Sequence, residues 1–429
     1  MVSAPTTSWL ELDPSERPAL AIDEVEPRWR ARPASQQELA DVLRQAADQD
    51  LVAAPRGGGT QLSMGNPPSR LDLLVETSGL RRVVEYEPAD LTITVEAGLP
   101  YAELQALLAE QGQVLALDPP VDPGATIGGL IATNASGPQR LAYGSARDLV
   151  IGTRVANAEG AVTHAGGRVV KNVAGYDLSK LHIGALGTLG VLVELSFKLV
   201  PIPPAQALVV VQFGLLAQAQ DLVRALLRSP LSPLALELLA PSAAMALGWP
   251  GEVSLAIRVG GAPAAVERQV RDLRHLGREH AGTTLDVQDA DWAALRDLAL
   301  RPEARDVLVR AAAPLAHSAA LVDILDAGLT DYAPRVWAHA GNGIAYAAFA
   351  VGPGEDVEAF DNAVIACRND VTKLGSNSSL VVERCPARLK RAQLDVWGEI
   401  GPSLVLMRSL KRQLDAKATI NRGRYVGGI

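Results

Sequence analysis

Residues 119–144 read PPVDPGATIGGLIATNASGPQRLAYG, a stretch in which glycines, small side chains and hydroxyls are concentrated. A loop of this kind lets backbone amides approach a bound anion, because glycine has no Cβ to keep a ligand away. The segment LIATNASG after Gly128 and Gly129 predicts a short helix or turn, whose positive end would favour a diphosphate. The alternative is an ordinary glycine-rich turn, so other parts of the chain have to decide between the two.

Two further stretches share this composition. PRGGGT, residues 55–60, follows the apolar segment LVAA, and a strand running into a glycine loop is the setting that a phosphate site requires. It is neither a Rossmann G-x-G-x-x-G nor a Walker loop, since no Gly-Lys-Ser/Thr follows. The third stretch is KNVAGYDLSKLHIGALGTLGV, residues 171–191. Together they predict a diphosphate site outside the common nucleotide folds.

The size and charge of the chain limit its class. A length of 429 residues predicts two or three domains, and 48% hydrophobic with 21% charged residues is typical of a soluble globular protein. The formal net charge of −8 argues against nucleic acid as a partner, because phosphate backbones require a basic face. Neither a signal peptide nor a transmembrane segment is evident, which predicts a cytoplasmic protein.

Two cysteines, Cys367 and Cys385, are too few for a disulfide framework or for a cluster that needs four thiolates. Any iron–sulfur centre would therefore belong to another chain. Neither cysteine has a histidine or an acid next to it in the sequence, so we expect both thiols to be inert.

Hydrophobic periodicity divides the chain into two parts. Ser35 followed by Glu38 is a capping box that predicts a helix to about residue 48, and alternating apolar residues predict strands at 91–98 and 191–199. The apolar segment Val114 to Leu117 predicts a strand that leads into the glycine-rich stretch at 119–144. PIPP at 201–204 marks the best boundary, and the segments beyond it predict a sheet with helices on one side.

In order and spacing, the three glycine-rich stretches resemble the FAD-linked oxidase family, which shares the vanillyl-alcohol oxidase (PCMH-type) fold. KNVAGYDLSKL and ALGTLG are similar to the FAD-binding subunits of bacterial glycolate oxidases. The resemblance implies an α+β chain with these parts: an N-terminal arm (1–30), a two-lobed PCMH-type FAD-binding domain (31–201), an α+β cap domain with an antiparallel sheet (202–403), and a C-terminal helix and tail returning to the FAD domain (404–429).

The resemblance also implies which residues bind FAD. Some relatives attach the flavin through a histidine after the glycine run, but Thr60 and Gln61 stand there in this chain, so noncovalent FAD is expected. The cofactor-binding residues that it implies are Arg56, Gly57, Gly58, Gly59, Thr60, Gln61, Pro119, Thr126, Ile127, Gly128, Gly129, Ala132, Asn134, Gly137, Tyr143, Gly144, Gly190 and Val191.

Oxidation of a 2-hydroxy acid needs a base, a cation for the carboxylate and a flavin to accept hydride. Related dehydrogenases are expected to use a His-x-Gly-Asp-Gly-Asn-x-His turn and a downstream Glu-His pair, often around a metal. Here the turn reads HAGNGIAY, with Asn342 and Tyr346 replacing the Asp and the second His, and GSNSSL at 375–380 offers no Glu-His pair. We therefore expect no metal site.

His339 has two interpretations, a surviving base that faces the flavin or a structural residue within its turn, and the depleted motif favours the second. Lys171 and Tyr176 are the other catalytic candidates, each weighed evenly against a capping or solvated role. His182, in LSKLHIGAL, is expected to pack in a core.

Two other groups carry weaker signals. Tryptophans 249, 292, 337 and 397 are expected to pack in the cap. The basic C-terminal run is expected to form a solvated face, with contact to FAD phosphate or an acidic partner as the second interpretation; its members are Arg408, Lys411, Arg412, Lys417, Arg422 and Arg424.

These observations predict an FAD-binding subunit of a multi-chain glycolate (2-hydroxyacid) oxidase. Its partners would be a second FAD-linked oxidase subunit and an iron–sulfur subunit that receives the electrons, with the complex at most peripheral at the inner membrane. The alternatives are a self-sufficient FAD-dependent dehydrogenase of a small 2-hydroxyacid and a non-catalytic scaffold whose flavin stabilises the fold.

Overall fold

The computed structural model describes residues 9–120, 122–167, 176–288, 291–301, 306–392 and 394–429. The chain builds an N-terminal module (residues 9–201) and a C-terminal module (residues 205–391), followed by a tail (residues 403–429). In the described ranges, none of the helices combines the length and the apolar character that crossing a bilayer demands.

The N-terminal module contains short strands and helices. Its strands are β1 (Trp9–Glu11), β2 (Trp29–Ala31), β3 (Ala53–Arg56), β4 (Leu73–Glu76), β5 (Val83–Glu87), β6 (Thr92–Glu96), β7 (Gln113–Val114), β8 (Val150–Ala156), β9 (Val162–Gly166), β10 (Val191–Lys198) and β11 (Val200–Pro201). Its helices are α1 (Gln36–Asp48), α2 (Tyr101–Ala109), α3 (Ile127–Thr133), α4 (Arg140–Tyr143), α5 (Ala146–Leu149) and α6 (Ser179–His182).

Two sheets form the two lobes of this module. One has the order β1-β2-β4-β3 with parallel pairing of β4 to both neighbours, and the other is antiparallel with the order β5-β6-β10-β8-β9. The N-cap predicted for α1 is present, since the Ser35 hydroxyl accepts a hydrogen bond from the Glu38 amide at 3.2 Å. The reciprocal half of the capping box differs, because the Glu38 carboxylate accepts from the Ala34 amide and not from the Ser35 amide. Leu39 and Leu43 on the inner face of α1 are fully buried, which fixes the helix against the first lobe.

Two segments differ from the sequence prediction. Within the predicted arm, Trp9–Glu11 joins β2 as an edge strand, because Trp9 and Ile22 bury their side chains. The strand expected at Val114 to Leu117 shortens to β7, because the Gln105 side-chain amide bonds both the amide and the carbonyl of Leu115.

The C-terminal module and the tail contain the remaining elements. The strands are β12 (Ala205–Phe213), β13 (Ala235–Leu239), β14 (Val253–Gly261), β15 (Thr283–Leu285), β16 (Val307–Ala312), β17 (Arg335–His339), β18 (Ile344–Phe349) and β19 (Ser379–Arg384). The helices are α7 (Leu216–Arg228), α8 (Pro241–Ala246), α9 (Pro263–Glu279), α10 (Asp291–Arg296), α11 (Ser318–Gly328), α12 (Val357–Thr372), α13 (Ala387–Arg391) and α14 (Ser403–Leu414).

An antiparallel sheet with the order β15-β12-β14-β13-β17-β18-β16-β19 forms the C-terminal module. One of its faces packs on α7, α9, α11 and α12 in a continuous apolar core that includes Leu222, Leu273, Leu325 and Phe360. The opposite face packs on α8 and α10 and also meets the N-terminal module, where α4 contacts β13. Helices therefore cover parts of both faces, not one side as the sequence predicted. The predicted α+β architecture with an antiparallel second sheet is confirmed.

The tail lies beside β3. The Ala53 amide donates to the Thr419 carbonyl at 2.8 Å, and the Asn421 amide donates to the Ala53 carbonyl at 2.8 Å. The solvated face expected for the basic run is wrong for two of its members, since Lys411 and Arg424 are buried. Lys411 instead pairs with Asp415 at 2.7 Å.

Candidate functional site

The first of two adjoining cavities, the glycine cavity, lies between the PRGGGT loop, α3 and the tail, and it has a volume of about 760 Å³ including its opening. Thr60 and Gln61 lie at its junction with the second cavity. Many of the residues predicted to bind FAD line it, namely Gly57, Gly58, Gly59, Thr60, Gln61, Thr126, Gly128, Gly129, Ala132 and Val191.

Two of these glycines are required by the close approach of the two loops. A Cβ on Gly58 would lie 1.6 Å from the Gly124 carbonyl oxygen, and a Cβ on Gly57 would lie 2.1 Å from the Thr126 hydroxyl. No side chain fits at either distance. The first loop and the segment before α3 therefore form one cradle, as the sequence predicted for a diphosphate site.

The amides of the two loops differ in what they bond. The amides of Ile127 and Gly128 donate to the Leu99 and Ala97 carbonyls, at 2.9 and 2.7 Å. Within the described chain, no acceptor bonds the amides of Gly58 or Thr60. The backbone donors available to an anion therefore come from the PRGGGT loop, whereas α3 forms part of the cavity wall.

Three polar side-chain atoms on the wall of the glycine cavity are buried without a hydrogen-bond partner among the described residues. They are Gln61 Oε1, Asn421 Oδ1 and Arg424 Nε. The remaining nitrogens of Arg424 bond Asp23 and the carbonyls of Leu62, Met64 and Asn66. Burial of unpaired polar atoms is costly. Arg424 Nε and the free amides can donate to an anionic group, whereas the two amide oxygens need a donor such as a hydroxyl, so the set fits a ligand that carries both kinds of group.

Six of the predicted FAD residues line neither cavity, namely Arg56, Ile127, Gly137, Tyr143, Gly144 and Gly190. Ile127 is fully buried in the apolar core of the second lobe. A Cβ on Gly137 would lie 1.5 Å from the Asp118 carbonyl oxygen, and one on Gly190 would lie 2.5 Å from Val155. These two glycines are therefore explained by backbone packing.

The second cavity, which we call the arginine cavity, lies between the two modules and has a volume of about 1140 Å³ including its opening. It shares Thr60, Gln61 and Thr133 with the glycine cavity, so the two adjoin. Pro119 and Asn134, also predicted to bind FAD, lie on its wall. Its charged and aromatic lining includes Arg140, Glu237, Arg296, Arg310, Trp337, His339, Tyr346, Glu383 and Arg384.

The register of the large sheet explains why these side chains converge. Glu237 on β13 lies opposite His339 on β17, and Tyr346 on β18 lies opposite both Trp337 and Arg310. Cross-strand partners share a face, and residues two apart along a strand share it too. The polar side chains therefore occupy the face that meets the N-terminal module.

His339 and Glu237 form a buried pair on this face. Nδ1 of His339 lies 2.8 Å from each Glu237 carboxylate oxygen, and both side chains are almost wholly buried. Burial raises the pKa of the Glu237 carboxyl, and the His339 imidazole opposes that rise. Because Nδ1 donates to the carboxylate, Nε2 is left as the lone-pair nitrogen, and no described residue bonds it. The arrangement is that of an oriented base.

Further ion pairs line the same cavity. Arg310 Nε donates to Glu383, and Arg296 of the C-terminal module lies 3.6 Å from Asp118 of the N-terminal module. Burial raises the pKa of Asp118 to about 6, although Arg296 lowers it. Burial also raises the pKa of Tyr346, whose ring stacks on Trp337 with a centroid separation of 5.4 Å.

The other candidates from the sequence lie apart from this pair. Lys171 is outside the described residues. Tyr176 is 93% exposed and lines neither cavity, so its geometry gives no support for a catalytic role. His182 is half-buried and burial lowers its pKa to about 4, which keeps the imidazole neutral.

The described residues give little support for a metal site or for a reactive thiol. The described ranges contain no group of three or more metal-ligating side chains, and Tyr346, at the position of the expected second histidine, packs edge-on against His339. The absence of a metal stays a prediction. Cys367 and Cys385 are buried, and burial raises the pKa of each thiol to about 11. Both are therefore protonated near neutral pH.

Sequence reasoning missed Glu237, Arg310 and Glu383. Glu237 and Arg310 are each the single charge of a strand, in ALELL and VLVRAA, and Glu383 follows three apolar residues in SLVVER. A charge in the middle of a buried strand is costly unless something compensates for it, and that was the available signal.

Comparisons with known proteins agree with this geometry. A family model described as an FAD binding domain matches residues 27–166. By this match, residues 27–166 are an FAD-binding domain. FAD is therefore the cofactor of this domain, and the unpaired polar atoms of the glycine cavity fit it.

The chain is also similar to curated relatives. The chain is 39% identical over 170 residues to the glycolate oxidase subunit GlcE of Escherichia coli, covering 39% of this chain and 48% of that subunit. It is 26% identical over 419 residues to a mitochondrial D-lactate dehydrogenase [cytochrome] of Arabidopsis thaliana, covering 92% of this chain and 72% of that protein. The chain thus spans about half the length of the glycolate oxidase subunit.

The structure of p-cresol methylhydroxylase with substrate bound superposes with a TM-score of 0.77, at 14% identity, over 97% of this chain and 93% of that one. At this identity the similarity concerns the fold alone. The predicted PCMH-type fold is confirmed.

Proposed function

We propose that this chain oxidises a small 2-hydroxy carboxylate in the arginine cavity, with noncovalently bound FAD as the electron acceptor. The buried Glu237–His339 pair, on the wall of a cavity that adjoins the glycine cavity, is the observation that carries the proposal. The names of the relatives, which include a glycolate oxidase subunit and a D-lactate dehydrogenase, support the same substrate class.

The reaction removes one proton and one hydride from the substrate and leaves a 2-oxo acid. FAD, when bound, supplies the hydride acceptor. Nε2 of His339 takes the hydroxyl proton, since Nδ1 is committed to Glu237. The imidazolium that forms is stabilised by the Glu237 carboxylate, and its proton then passes to solvent.

The walls of the cavity suit an anionic substrate. Arg296 and Arg310 place positive charge on the C-terminal side, and Arg140 places it on the N-terminal side. Trp337 and Tyr346 cover part of the wall with stacked aromatic rings, which lowers the local polarity and strengthens electrostatic interactions with a bound carboxylate.

The test is anaerobic mixing of the purified, flavin-loaded chain with glycolate or D-lactate, followed through the visible flavin absorbance. We expect the wild type to bleach and His339→Asn to bleach about 100- to 10,000-fold more slowly while retaining its flavin. His275→Asn is the matched control, since the His275 side chain is 66% exposed on α9. Equal bleaching by the wild type and His339→Asn would reject His339 as the base.

We infer a second role, as a subunit of a multi-chain glycolate oxidase that passes electrons to an iron–sulfur partner beside a second FAD-linked subunit. The identity with a glycolate oxidase subunit favours this role. The two cysteines of the chain are too few to hold a cluster, so the iron would belong to the partner.

His339→Asn also separates the alternatives within an assembled complex. Loss of glycolate turnover would place oxidation in this chain. Full turnover would place it in the partner and leave this flavin as an electron carrier or scaffold, which rapid photoreduction of the complex distinguishes.

A further inference from the structure

Three carboxylates that line or adjoin the arginine cavity have cationic or imidazole partners. Glu237 pairs with His339, Glu383 with Arg310, and Asp118 with Arg296. Asp118 also accepts a hydrogen bond from the Gln139 side-chain amide at 3.0 Å. Each of these acids is therefore compensated within the protein.

Arg140 differs from Arg296 and Arg310, which pair with carboxylates. Its Nη1 donates to the Ser136 hydroxyl at 3.0 Å, and none of the described carboxylates forms an ion pair with it. A hydroxyl is neutral, so the full positive charge of the guanidinium remains, together with donors that Ser136 does not use. A cation held on a cavity wall in this state is suited to an incoming anion.

Arg140 lies on a helix that packs close to the strand and the turn that carry Glu237 and His339. Arg140 opens α4 of the N-terminal module, and α4 packs against β13, the strand that carries Glu237. The next residue, Leu141, abuts the turn after His339, where a Cβ on Gly341 would lie 2.8 Å from its methyl groups. The cation and the base thus reach one cavity from different modules.

The electrostatic effect of Arg140 extends to this wall. Burial raises the pKa of the Tyr346 phenol, and Arg140 is one of the two cations that oppose the rise. Tyr346 in turn packs edge-on against the His339 ring, with centroids 5.1 Å apart. The positive charge of Arg140 therefore acts on Tyr346, the aromatic side chain that packs against His339.

We propose that Arg140 binds the substrate carboxylate and makes the site selective for hydroxy acids over the corresponding neutral alcohols. This inference rests on the proposed function. A carboxylate at Arg140 compensates a charge with which none of the described carboxylates pairs, whereas an alcohol leaves it uncompensated. Because the N-terminal module supplies this contact, substrate selection requires both modules.

The test uses the flavin-loaded chain and oxalate, a carboxylate that cannot be oxidised as a 2-hydroxy acid, with the visible flavin spectrum as the readout. We expect saturable binding by the wild type and affinity about 10- to 100-fold lower in Arg140→Met. Arg140→Lys keeps the charge and should fall between them. In turnover with glycolate, Arg140→Met should raise KM more than it lowers kcat.

Arg147→Met is the matched control. Arg147 lies seven positions further along, is exposed, and bonds the Lys180 carbonyl outside both cavities. This variant should bind oxalate as the wild type does. Flavin content and melting temperature, measured for every variant, identify any variant that fails to fold, and Arg140→Gln then replaces Arg140→Met.

The possible results separate this inference from the proposed function. Equal oxalate affinity in the wild type and a folded Arg140 variant would overturn the role of Arg140, as would a wild type that does not bind oxalate. Oxalate binding that depends on Arg140, with no bleaching by any 2-hydroxy acid, would reject the proposed function and leave Arg140 as a carboxylate site.

Discussion

A buried carboxylate is costly unless a partner replaces its lost hydration, and Glu237 meets this condition through a single imidazole at 2.8 Å. The pair fixes which nitrogen of His339 faces the cavity and supplies the negative charge that an imidazolium needs. The orientation of the His339 ring and the charge of the Glu237 carboxylate are separate contributions to catalysis, and one substitution distinguishes them.

Glu237→Gln retains an oxygen that accepts a hydrogen bond from Nδ1 but removes the charge. We expect kcat with glycolate to fall about a hundredfold with little change in KM, because the imidazolium loses its stabilising partner. Steady-state kinetics at equal flavin content provide the measurement. Glu252→Gln, at an exposed position before β14, is the control and should leave both constants unchanged. An unchanged kcat in Glu237→Gln would show that orientation alone suffices.

At the scale of secondary-structure elements, features that depend on residues close in sequence were predicted better than features that depend on contacts between distant residues. The glycine loops and the N-cap of α1 follow from residues close in sequence, and both are present. The partners of the α3 amides depend on Ala97 and Leu99, about thirty residues earlier, and no local pattern reports them.

The candidate site was predicted unevenly for the same reason. His339 stood out because its turn resembles a known motif, whereas Glu237 lies about a hundred residues earlier and meets it only through the strand pairing of the sheet. Arg424 was treated as part of a basic run because its burial depends on the tail returning to β3.

The close approach of Gly58 to Gly124 gives a prediction for the loop pair. A methyl group at Gly58 would meet the Gly124 carbonyl at 1.6 Å, whereas one at Gly124 has nothing nearer than 3.9 Å. We expect Gly58→Ala to weaken FAD binding at least tenfold and to lower the free energy of unfolding by about 1–3 kcal/mol. Flavin fluorescence titration and denaturant melts measure the two effects. Gly124→Ala alters the same contact from the other side and should do neither; matching losses in both variants would contradict the steric explanation.

At the scale of the whole molecule, one buried acid joins three parts of the chain. Asp23, before β2, accepts hydrogen bonds from Lys390 of α13 at 2.9 and 3.0 Å and from Arg424 of the tail at 3.3 Å. The side chains of all three are at most 4% exposed. Burial lowers the pKa of both Lys390 and Arg424, and the Asp23 charge opposes this in each. The network lies directly beneath the loop that leads from Gln61 to the glycine cavity.

Asp23→Asn should therefore destabilise the entire chain, because two buried cations would lose their only shared counter-charge. We expect the free energy of unfolding to fall by about 3–5 kcal/mol, the usual cost of breaking a buried pair from one side. Glu24→Gln, at the next residue, removes a surface ion pair with Arg391 whose side chains are 49% and 59% exposed, and it should cost less than about 1 kcal/mol. Denaturant melts of both variants give the comparison. Because Arg424 also lines the glycine cavity, Asp23→Asn should weaken FAD binding as well, whereas equal stability of the two variants would mean that the tail and α13 are held by apolar packing alone.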